Sequence, residues 1–400
     1  MKLRIFTILC AAFALISCAQ QPNIIEDNIA NAEVQISALL EACEAGDTIR
    51  IPSTYKDDAI KFVPKDDWVS GFFPGTLWYM YELTGDEKWA EHAKAHTDNI
   101  AEIQYLKWHH DVGFMIFDSF GNGWKSKQIP GYDTVIVNAA KSLSTRFRPG
   151  AGVIQSWDAD RGWQALRGWT CPVIIDNMMN LELLFTASEI SGDPIYRNIA
   201  ISHANTTLAH HYRDDFSTYH VVDYDLNTGE VLHRCTAQGY ADESAWARGQ
   251  AWSIYGFVVC YRFTQDEKYL QRAKDVAAYL FNHPRMPEDL VPYWDFDCPD
   301  IPNTYRDASS AACIASALYE LYWYTKDELY MEKADKMIES LSSPAYRAEQ
   351  GTNGGFILMH SVGSIPHGSS IDVPLNYADY YFLEALIRKG KIEKGLSPIE

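Results

Sequence analysis

The chain has 400 residues, 47% of them hydrophobic, which is enough to bury a large core in one big domain or two ordinary ones. Its formal net charge of −19 at pH 7 would repel nucleic acid or any long polyanion, so we expect no nucleic-acid partner. A small anion can still bind where a local cationic group outweighs that field. The 12 Trp, 24 Tyr and 17 Phe also suit a concave surface for sugar rings.

The N-terminal stretch MKLRIFTILCAAFALISCAQQ has the pattern of an export signal. Its start is basic, residues 5–16 are almost wholly apolar, and small residues follow. The apolar run is too short to span a bilayer. Its LISC ending resembles the bacterial lipoprotein box, so we expect residues 1–17 to be a lipoprotein signal peptide and Cys18 to carry the lipid. The protein would then be exported and membrane-anchored, on the periplasmic side of a Gram-negative bacterium; a simple secretory signal is the alternative.

Metal and cofactor sites are not expected from the sequence. The other cysteines are scattered and include no C-x-x-C pair, which argues against a zinc or redox site. His109, His110 and Asp111 spell HHD, but adjacent side chains do not converge readily on one ion. Glycine motifs for phosphate or dinucleotide binding are also absent from the sequence. We therefore predict no metal and no cofactor.

One pattern repeats along the chain. An apolar, aromatic stretch ends in a short polar turn with an Asp; an aromatic residue follows three positions later and an Ala seven positions later. An Asp at this place is typical of a helix N-cap, and the other two positions then share one helix face. Each copy therefore predicts a helical hairpin. The Asp residues are Asp86, Asp193, Asp266 and Asp327, with Asp133 in a weaker fifth copy.

The hairpins predict an all-α fold. Apolar segments lie near 68–84, 111–126, 174–191, 245–264, 307–325 and 376–389. Amphipathic segments lie near 24–45, 86–104, 133–148, 193–213, 266–283 and 327–343. Six of each predict a closed ring with the apolar helices inside, forming a single domain over residues 18–400. An open superhelix is the alternative.

Two aspartates at the starts of inner helices are candidates for catalysis. Asp176 lies within the apolar stretch CPVIIDNMMNLELLF, where a lone carboxylate is costly unless it is paired or protonated. It is either a structural group satisfied by Asn180, or a general acid whose pKa is raised by its apolar surroundings. Asp111 begins the inner helix one hairpin earlier, so both carboxylates can face one cavity.

Two further patterns recur every four residues on predicted inner helices. Ser244, Arg248 and Trp252 form one stripe, in which Arg248 can hold a carboxylate or sulfate bidentately and Trp252 offers a stacking face. A structural arginine paired with an acidic residue is the alternative for Arg248. Trp68 and Phe72 form an aromatic pair on the first inner helix, either in the core or as a platform for a sugar.

Six ordered motifs span roughly residues 60 to 390: WVSGFFPG, HHDVGF, SFGNG, IIDNMMNLELL, ESAWARGQAWSIYGF and NYADYYFLEAL. Together they resemble glycoside hydrolase family 88, the unsaturated glucuronyl hydrolases. The resemblance implies an (α/α)6 barrel that acts on Δ4,5-unsaturated uronic acid at the non-reducing end of lyase-generated oligosaccharides. It also implies hydration: a carboxylic acid protonates the vinyl ether at C4, water adds at C5, and the hemiketal opens and expels the remaining sugar.

By motif match, the resemblance implies that Asp176 is the general acid and base and that Asp111 orients water and substrate. The positions that match the family's pocket are Trp68, Phe72, His110, Trp157, His220, Gln238, Arg248 and Trp252. The pocket tryptophan is open among Trp157, Trp163 and Trp169, because the segment before Asp176 is longer than usual. The loop 361–374 is either a contact for the second sugar, with a sulfate meeting His367, Ser369 and Ser370, or an ordinary closing loop.

Other functions stay open at this point. An unsaturated rhamnogalacturonyl hydrolase would have the same barrel, although WARGQAW favours the glucuronyl family. A non-catalytic glycan-binding lipoprotein is disfavoured by the presence of both Asp111 and Asp176, and a polysaccharide lyase by the acidic charge. The expected partner is a small unsaturated oligosaccharide. The membrane is contacted only through the lipid anchor, and the protein is a monomer or a homodimer.

Overall fold

The computed structural model describes residues 23–399, so the predicted signal peptide and Cys18 lie outside the described residues. The α-helices are α1 (Ile24–Glu44), α2 (Phe72–Thr84), α3 (Glu87–Asn99), α4 (Val112–Ile116), α5 (Asn122–Lys127), α6 (Tyr132–Ser144), α7 (Leu181–Ser191), α8 (Pro194–His210), α9 (Ala247–Thr264), α10 (Glu267–Asn282), α11 (Ala308–Thr325), α12 (Glu328–Leu341) and α13 (Asn376–Glu393). A π-helical turn, Phe117–Gly121, joins α4 to α5, and a 3-10 turn, Ile175–Asn180, leads into α7. Across this part of the chain, no helix combines the length and the apolar character needed to cross a membrane.

The helices form a closed (α/α)6 barrel, as predicted. The inner ring contains α2, the α4–α5 pair, α7, α9, α11 and α13, each packed against the next, and α13 packs against α2 to close it. The outer helices are α1, α3, α6, α8, α10 and α12. The inner helices are apolar around most of their circumference because they are covered on every side, and α11 is buried without interruption from Ala308 to Leu321.

The repeated Asp pattern has the predicted structural basis. Asp86, Asp193, Asp266 and Asp327 each precede an outer helix, and each side chain accepts a hydrogen bond from the backbone N–H two residues later. The aromatic and Ala positions that follow them are buried against the inner ring. Asp133 is not an N-cap, because α6 already begins one residue earlier, at Tyr132. The residue before the helix is Gly131, whose φ of +87° lies in the left-handed region.

Two predicted helix positions are wrong. Trp68 lies in the turn before α2 rather than on the helix, and Ser244 lies before α9, where its hydroxyl donates to Asp295 Oδ2 at 2.7 Å. The predicted stripe of Ser244, Arg248 and Trp252 is therefore reduced to its last two members. Side-chain hydrogen bonds hold these turns outside the helices, and apolar periodicity does not detect such bonds.

Short antiparallel strands lie in the connections that precede inner helices. They are β1 (Ile51–Lys56), β2 (Ala59–Val63), β3 (Phe147–Arg148), β4 (Val153–Ile154), β5 (Pro172–Ile174), β6 (Val221–Tyr224), β7 (Val231–Cys235), β8 (Ser361–Ser364) and β9 (Ser369–Val373). β5, β6 and β7 form one sheet, and the others pair as hairpins. Because every such connection runs from an outer helix to the start of the next inner helix, the strands all gather at one end of the barrel.

A chain of buried charges links four inner helices. Arg262 of α9 bonds Glu182 of α7 at 2.6 Å and Glu320 of α11 at 2.7 Å. Arg388 of α13 bonds Glu320 and Glu384, each at 3.1 Å. Burial by itself raises the pKa of Glu182, but the charges of Arg262 and Lys125 lower it to about 2. Each buried charge is therefore stabilised by the opposite charge beside it, and removing one leaves its neighbours without that partner.

We expect Arg262→Met to reduce the free energy of unfolding by about 3–5 kcal/mol, because it leaves two buried carboxylates without their shared partner. Urea denaturation followed by circular dichroism measures this change. The control is Lys94→Met, which removes the half-exposed Lys94–Asp98 pair of α3 and should cost less than about 1 kcal/mol. Equal losses for the two variants would contradict the structural role of the buried charges.

Candidate active site

A cavity of about 440 Å³ opens at the strand-bearing end of the barrel. Six of the residues predicted from the sequence line it: Trp68, Asp111, Trp157, Asp176, Gln238 and Arg248. They come from the connections before four of the inner helices and from the first turn of α9. The closed ring thus brings together residues that are up to 180 positions apart in the sequence.

Four predicted residues lie behind the cavity wall rather than on it. Phe72 and Trp252 are fully buried, with Phe72 packed edge-on against Trp68 at a ring distance of 5.7 Å. His110 and His220 are also buried, and each lies against one of the two cavity aspartates. The expected sugar platform therefore includes Trp68 alone, while Phe72 supports it from the core.

Asp176 is held in the 3-10 turn before α7 with only 8% of its surface exposed. Burial raises the pKa of Asp176 to about 7; the charge of Arg248 lowers it in part, and that of Asp111 raises it further. Within residues 23–399, its Oδ2 has no hydrogen-bond partner. Asn180 bonds other groups, so the structural interpretation of Asp176 is wrong. The site instead retains a carboxyl group that carries a proton near neutral pH.

His220 presents a neutral N–H to Asp176. Its Nδ1 accepts hydrogen bonds from the backbone N–H groups of Ala237 at 3.0 Å and Gln238 at 3.2 Å, which places the ring proton on Nε2. Nε2 lies 3.7 Å from Asp176 Oδ2, just beyond hydrogen-bond length. Burial holds the pKa of His220 well below its usual value. His220 therefore faces the acid without adding a positive charge to it.

Asp111 is the ionised carboxylate of the pair. His110 Nε2 lies 3.3 Å from its Oδ1, and His109 Nδ1 lies 3.4 Å from its Oδ2. Burial alone would raise the pKa of Asp111, but the neighbouring His110, His109 and Arg146 bring it below the usual value. Two carboxyl groups whose pKa values are driven apart in one cavity are suited to separate acid and base roles.

Arg248 is fixed by the protein rather than free in the cavity. It bonds Asp307 Oδ2 at 3.0 Å and the carbonyl oxygens of Val362 and Gly363 in β8, and its side chain is 1% exposed. These contacts agree with the structural alternative for Arg248. Its charge nevertheless borders the cavity and lowers the pKa of Asp176.

Three tryptophans form one cluster beside the cavity. Trp157 contacts Trp163 at a ring distance of 5.1 Å and stacks on Trp169 at 5.8 Å. Trp157 and Trp163 line the cavity, whereas Trp169 is buried behind them. Trp163 also meets His367 at 4.9 Å, so the long segment before Asp176 reaches the β8–β9 hairpin across the opening. That hairpin lines the cavity through Ser364, His367, Ser369 and Ser370.

Sequence reasoning missed Asp67 and Tyr377. Asp67 lines the cavity beside Trp68, accepts the Val69 N–H at 3.1 Å, and has its pKa raised by burial. Tyr377, in the first turn of α13, lies 5.0 Å from the Trp68 ring and completes the wall. Both residues occur in sequence segments already singled out, and their position at the start of an inner helix was the available signal.

In the part of the chain described, no group of three or more His, Cys, Asp or Glu side chains could hold a metal ion.

A helical barrel whose cavity combines a protonated carboxyl, an ionised carboxyl and aromatic rings has the arrangement of a carbohydrate-processing enzyme. The chain is 47% identical over 335 residues to an unsaturated glucuronyl hydrolase of Formosa agariphila, covering 83% of this chain and 82% of that protein. No model of a known protein family matches the chain.

Solved structures show the same relationship. An unsaturated glucuronyl hydrolase specific for heparin has a TM-score of 0.88 at 44% identity, covering 93% of this chain and 98% of that one. An Asp-to-Asn mutant of the Streptococcus agalactiae unsaturated glucuronyl hydrolase, complexed with dGlcA-GalNAc6S, has a TM-score of 0.77 at 30% identity, covering 92% of each chain. The chain belongs to the unsaturated glucuronyl hydrolases, glycoside hydrolase family 88.

The unusual protonation of Asp176 can be measured directly. In protein labelled with carboxyl-¹³C aspartate, we expect two NMR signals to titrate near pH 7, those of Asp176 and Asp379, and Asp176→Asn should remove one of them. Asp111→Asn should lower the pKa of Asp176, because it removes a like charge from the cavity. If the signal lost in Asp176→Asn titrates near pH 4 in the wild type, the burial argument is contradicted.

Proposed function

We propose that the enzyme removes Δ4,5-unsaturated uronic acid from the non-reducing end of lyase-generated glycosaminoglycan oligosaccharides. The observation that carries this proposal is Asp176, a buried acid with a pKa of about 7 in one cavity with the ionised Asp111. The homologous unsaturated glucuronyl hydrolases and the dGlcA-GalNAc6S in the Streptococcus agalactiae complex support it.

The proposed reaction is a hydration in which Asp176 transfers a proton to C4 of the vinyl ether and positive charge develops at C5 and the ring oxygen. Water oriented by Asp111 then adds at C5 and returns a proton to Asp176. The resulting hemiketal opens, and the remaining sugar leaves from C1. A neutral acid suits this step, because the developing cation stabilises the carboxylate that remains after transfer.

The cavity suits a short oligosaccharide. Its volume of about 440 Å³ is in the usual range for a small-molecule site. Trp68, Trp157 and Trp163 line the cavity together with the two aspartates and offer aromatic faces to sugar rings. Ser369, Ser370 and His367 border the outer part, where a sulfate of the second sugar would lie. Because the heparin-specific enzyme is 44% identical, heparin-derived disaccharides are the first substrates to test.

Hydration of the double bond removes the near-ultraviolet absorbance of an unsaturated uronate. We expect that absorbance to fall when the enzyme meets heparin or chondroitin disaccharides, and Asp176→Asn to abolish the fall while keeping the circular dichroism spectrum. The matched control is Asp379→Asn, which changes another buried carboxyl whose pKa is about 7. Asp379 lies on α13 and does not line the cavity, so this variant distinguishes the loss of any buried carboxyl from the loss of the catalytic one. Near-normal turnover by Asp176→Asn would refute its assigned role.

The kcat/KM of the wild-type enzyme should depend on pH with two limbs. It should fall above about pH 7 as Asp176 loses its proton, and fall on the acid side, below the ordinary Asp range, as Asp111 gains one.

A rise in absorbance with intact polysaccharide would indicate a lyase instead. Turnover of unsaturated rhamnogalacturonan fragments alone would favour the sister family.

The proposed site of action is the periplasmic side of a membrane, reached through export and lipidation of Cys18. Expressed in a Gram-negative host, the protein should incorporate labelled palmitate and sediment with membranes, whereas Cys18→Ser should do neither. Cys10→Ser is the matched control, because Cys10 lies in the predicted signal peptide and should not affect anchoring. Unlabelled, unanchored wild-type protein would overturn this proposal.

A further inference from the structure

Asn180 connects the segments that carry the two cavity aspartates. It ends the 3-10 turn that holds Asp176 and is fully buried. Its Oδ1 accepts the backbone N–H of Phe114 at 2.9 Å, in the segment that follows Asp111. Its Nδ2 lies 3.2 Å from Nδ1 of His110, the residue before Asp111. One side chain thus bonds both the backbone and the imidazole that flank Asp111.

The backbone determines which group donates and which accepts in these two hydrogen bonds. An amide N–H can only donate, so the Phe114 N–H faces the oxygen of Asn180, and the side-chain NH₂ must face His110. Nδ1 of His110 then accepts, and the ring proton is on Nε2, which lies 3.3 Å from Asp111 Oδ1. Burial lowers the pKa of His110 to about 4, so the ring is neutral. Asn180 therefore places the N–H of His110, and not a lone pair, beside Asp111. The 3.3 Å contact is a close polar contact rather than a hydrogen bond, because Nε2 has no hydrogen-bond partner within residues 23–399.

The fit around Asn180 is tight. A Cβ added at Gly113 would lie 2.2 Å from Asn180 Oδ1 and 2.7 Å from Asn180 Cα. Glycine at this position allows the two segments to approach closely enough for the hydrogen bond to Phe114. Asn177 is held separately, since its Nδ2 donates to the Ile154 carbonyl at 2.6 Å.

We propose that Asn180 is a positioning residue that fixes the tautomer of His110 and, through it, the orientation and ionisation of Asp111. This proposal rests on the proposed function, since Asp111 is assigned there to orient water. Asn180 is fully buried and is not among the residues that line the cavity. It acts by ensuring that an N–H, and not a lone pair, faces the Asp111 carboxylate.

The most informative variant is Asn180→Asp, which keeps the shape and the acceptor for Phe114 but replaces the NH₂ donor with an acceptor. While the ring stays neutral, His110 must then carry its proton on Nδ1, and the lone pair of Nε2 faces Asp111. The titratable or charged groups around Asp111 and His110 are His109, Arg146, Asp67, Asp176 and His203. None of them is changed by the substitution, but the new carboxylate also acts on Asp111 through its charge. The acid limb is therefore compared with that of Asn180→Ala, which removes the NH₂ donor without adding a charge.

We expect Asn180→Asp to lower kcat roughly 10- to 100-fold, the usual scale for a group that orients a functional side chain, with little change in KM. The acid limb of the pH profile should move upward, while the alkaline limb set by Asp176 stays near pH 7. A double-mutant cycle of Asn180→Ala with His110→Gln should be strongly non-additive. An unmoved acid limb together with additive losses would overturn the proposal.

A second measurement does not depend on turnover. In ¹⁵N-histidine-labelled protein, the His110 signals, identified by their loss in His110→Gln, should show protonated Nε2 in the wild type and protonated Nδ1 in Asn180→Asp. An unchanged tautomer in a folded Asn180→Asp protein would refute the positioning role. If no unsaturated uronide is turned over by the wild type, the proposed function fails while the tautomer result still decides the structural part.

Discussion

The cavity depends on one constraint, the exclusion of bulk water from the Asp176 carboxyl. With 8% of its surface exposed and Oδ2 unpartnered within residues 23–399, this group keeps a proton to about pH 7. Water at this place would lower the pKa of Asp176 and remove the acid. The surrounding groups leave this pKa high. His220 is neutral, and Arg248 is paired with Asp307, so the charge of Arg248 lowers the pKa of Asp176 only in part.

The barrel makes this exclusion possible. Inner helices covered on all sides begin at one end, so their first residues converge on one cavity. The connections that deliver them are long enough to carry the strands and the tryptophan cluster that enclose the opening. The buried chain of Arg262, Glu320 and Arg388 ties the inner helices to one another. A rigid ring of this kind holds two carboxyl groups at a fixed separation, as differential pKa control requires.

Much of the fold and part of the site were predictable from the sequence. The N-cap aspartates and the buried aromatic and Ala positions are local or periodic features, and they predicted the hairpins correctly. Asp176 was found because a carboxylate in an apolar segment is anomalous, and Asp111 because it begins the inner helix one hairpin earlier. Trp68 and Ser244 were misplaced by a few residues, because turns held by side-chain bonds override periodicity. Asp133 was misplaced because α6 already begins after Gly131. The bonding of Asn180 was missed, since its partners lie 66 and 70 residues away.

The sequence by itself determined the helical hairpins, their number and the candidate acids, because capping and apolar periodicity act over only a few residues. Only the tertiary structure decided which side chains face the cavity and which support it from behind. It showed that Trp68 and Trp163 line the cavity, whereas Phe72 and Trp169 lie buried behind it. It also showed that Arg248 is held by Asp307. These outcomes depend on contacts between distant segments, and the direction of a hydrogen bond or the pKa of an acid is set by such contacts.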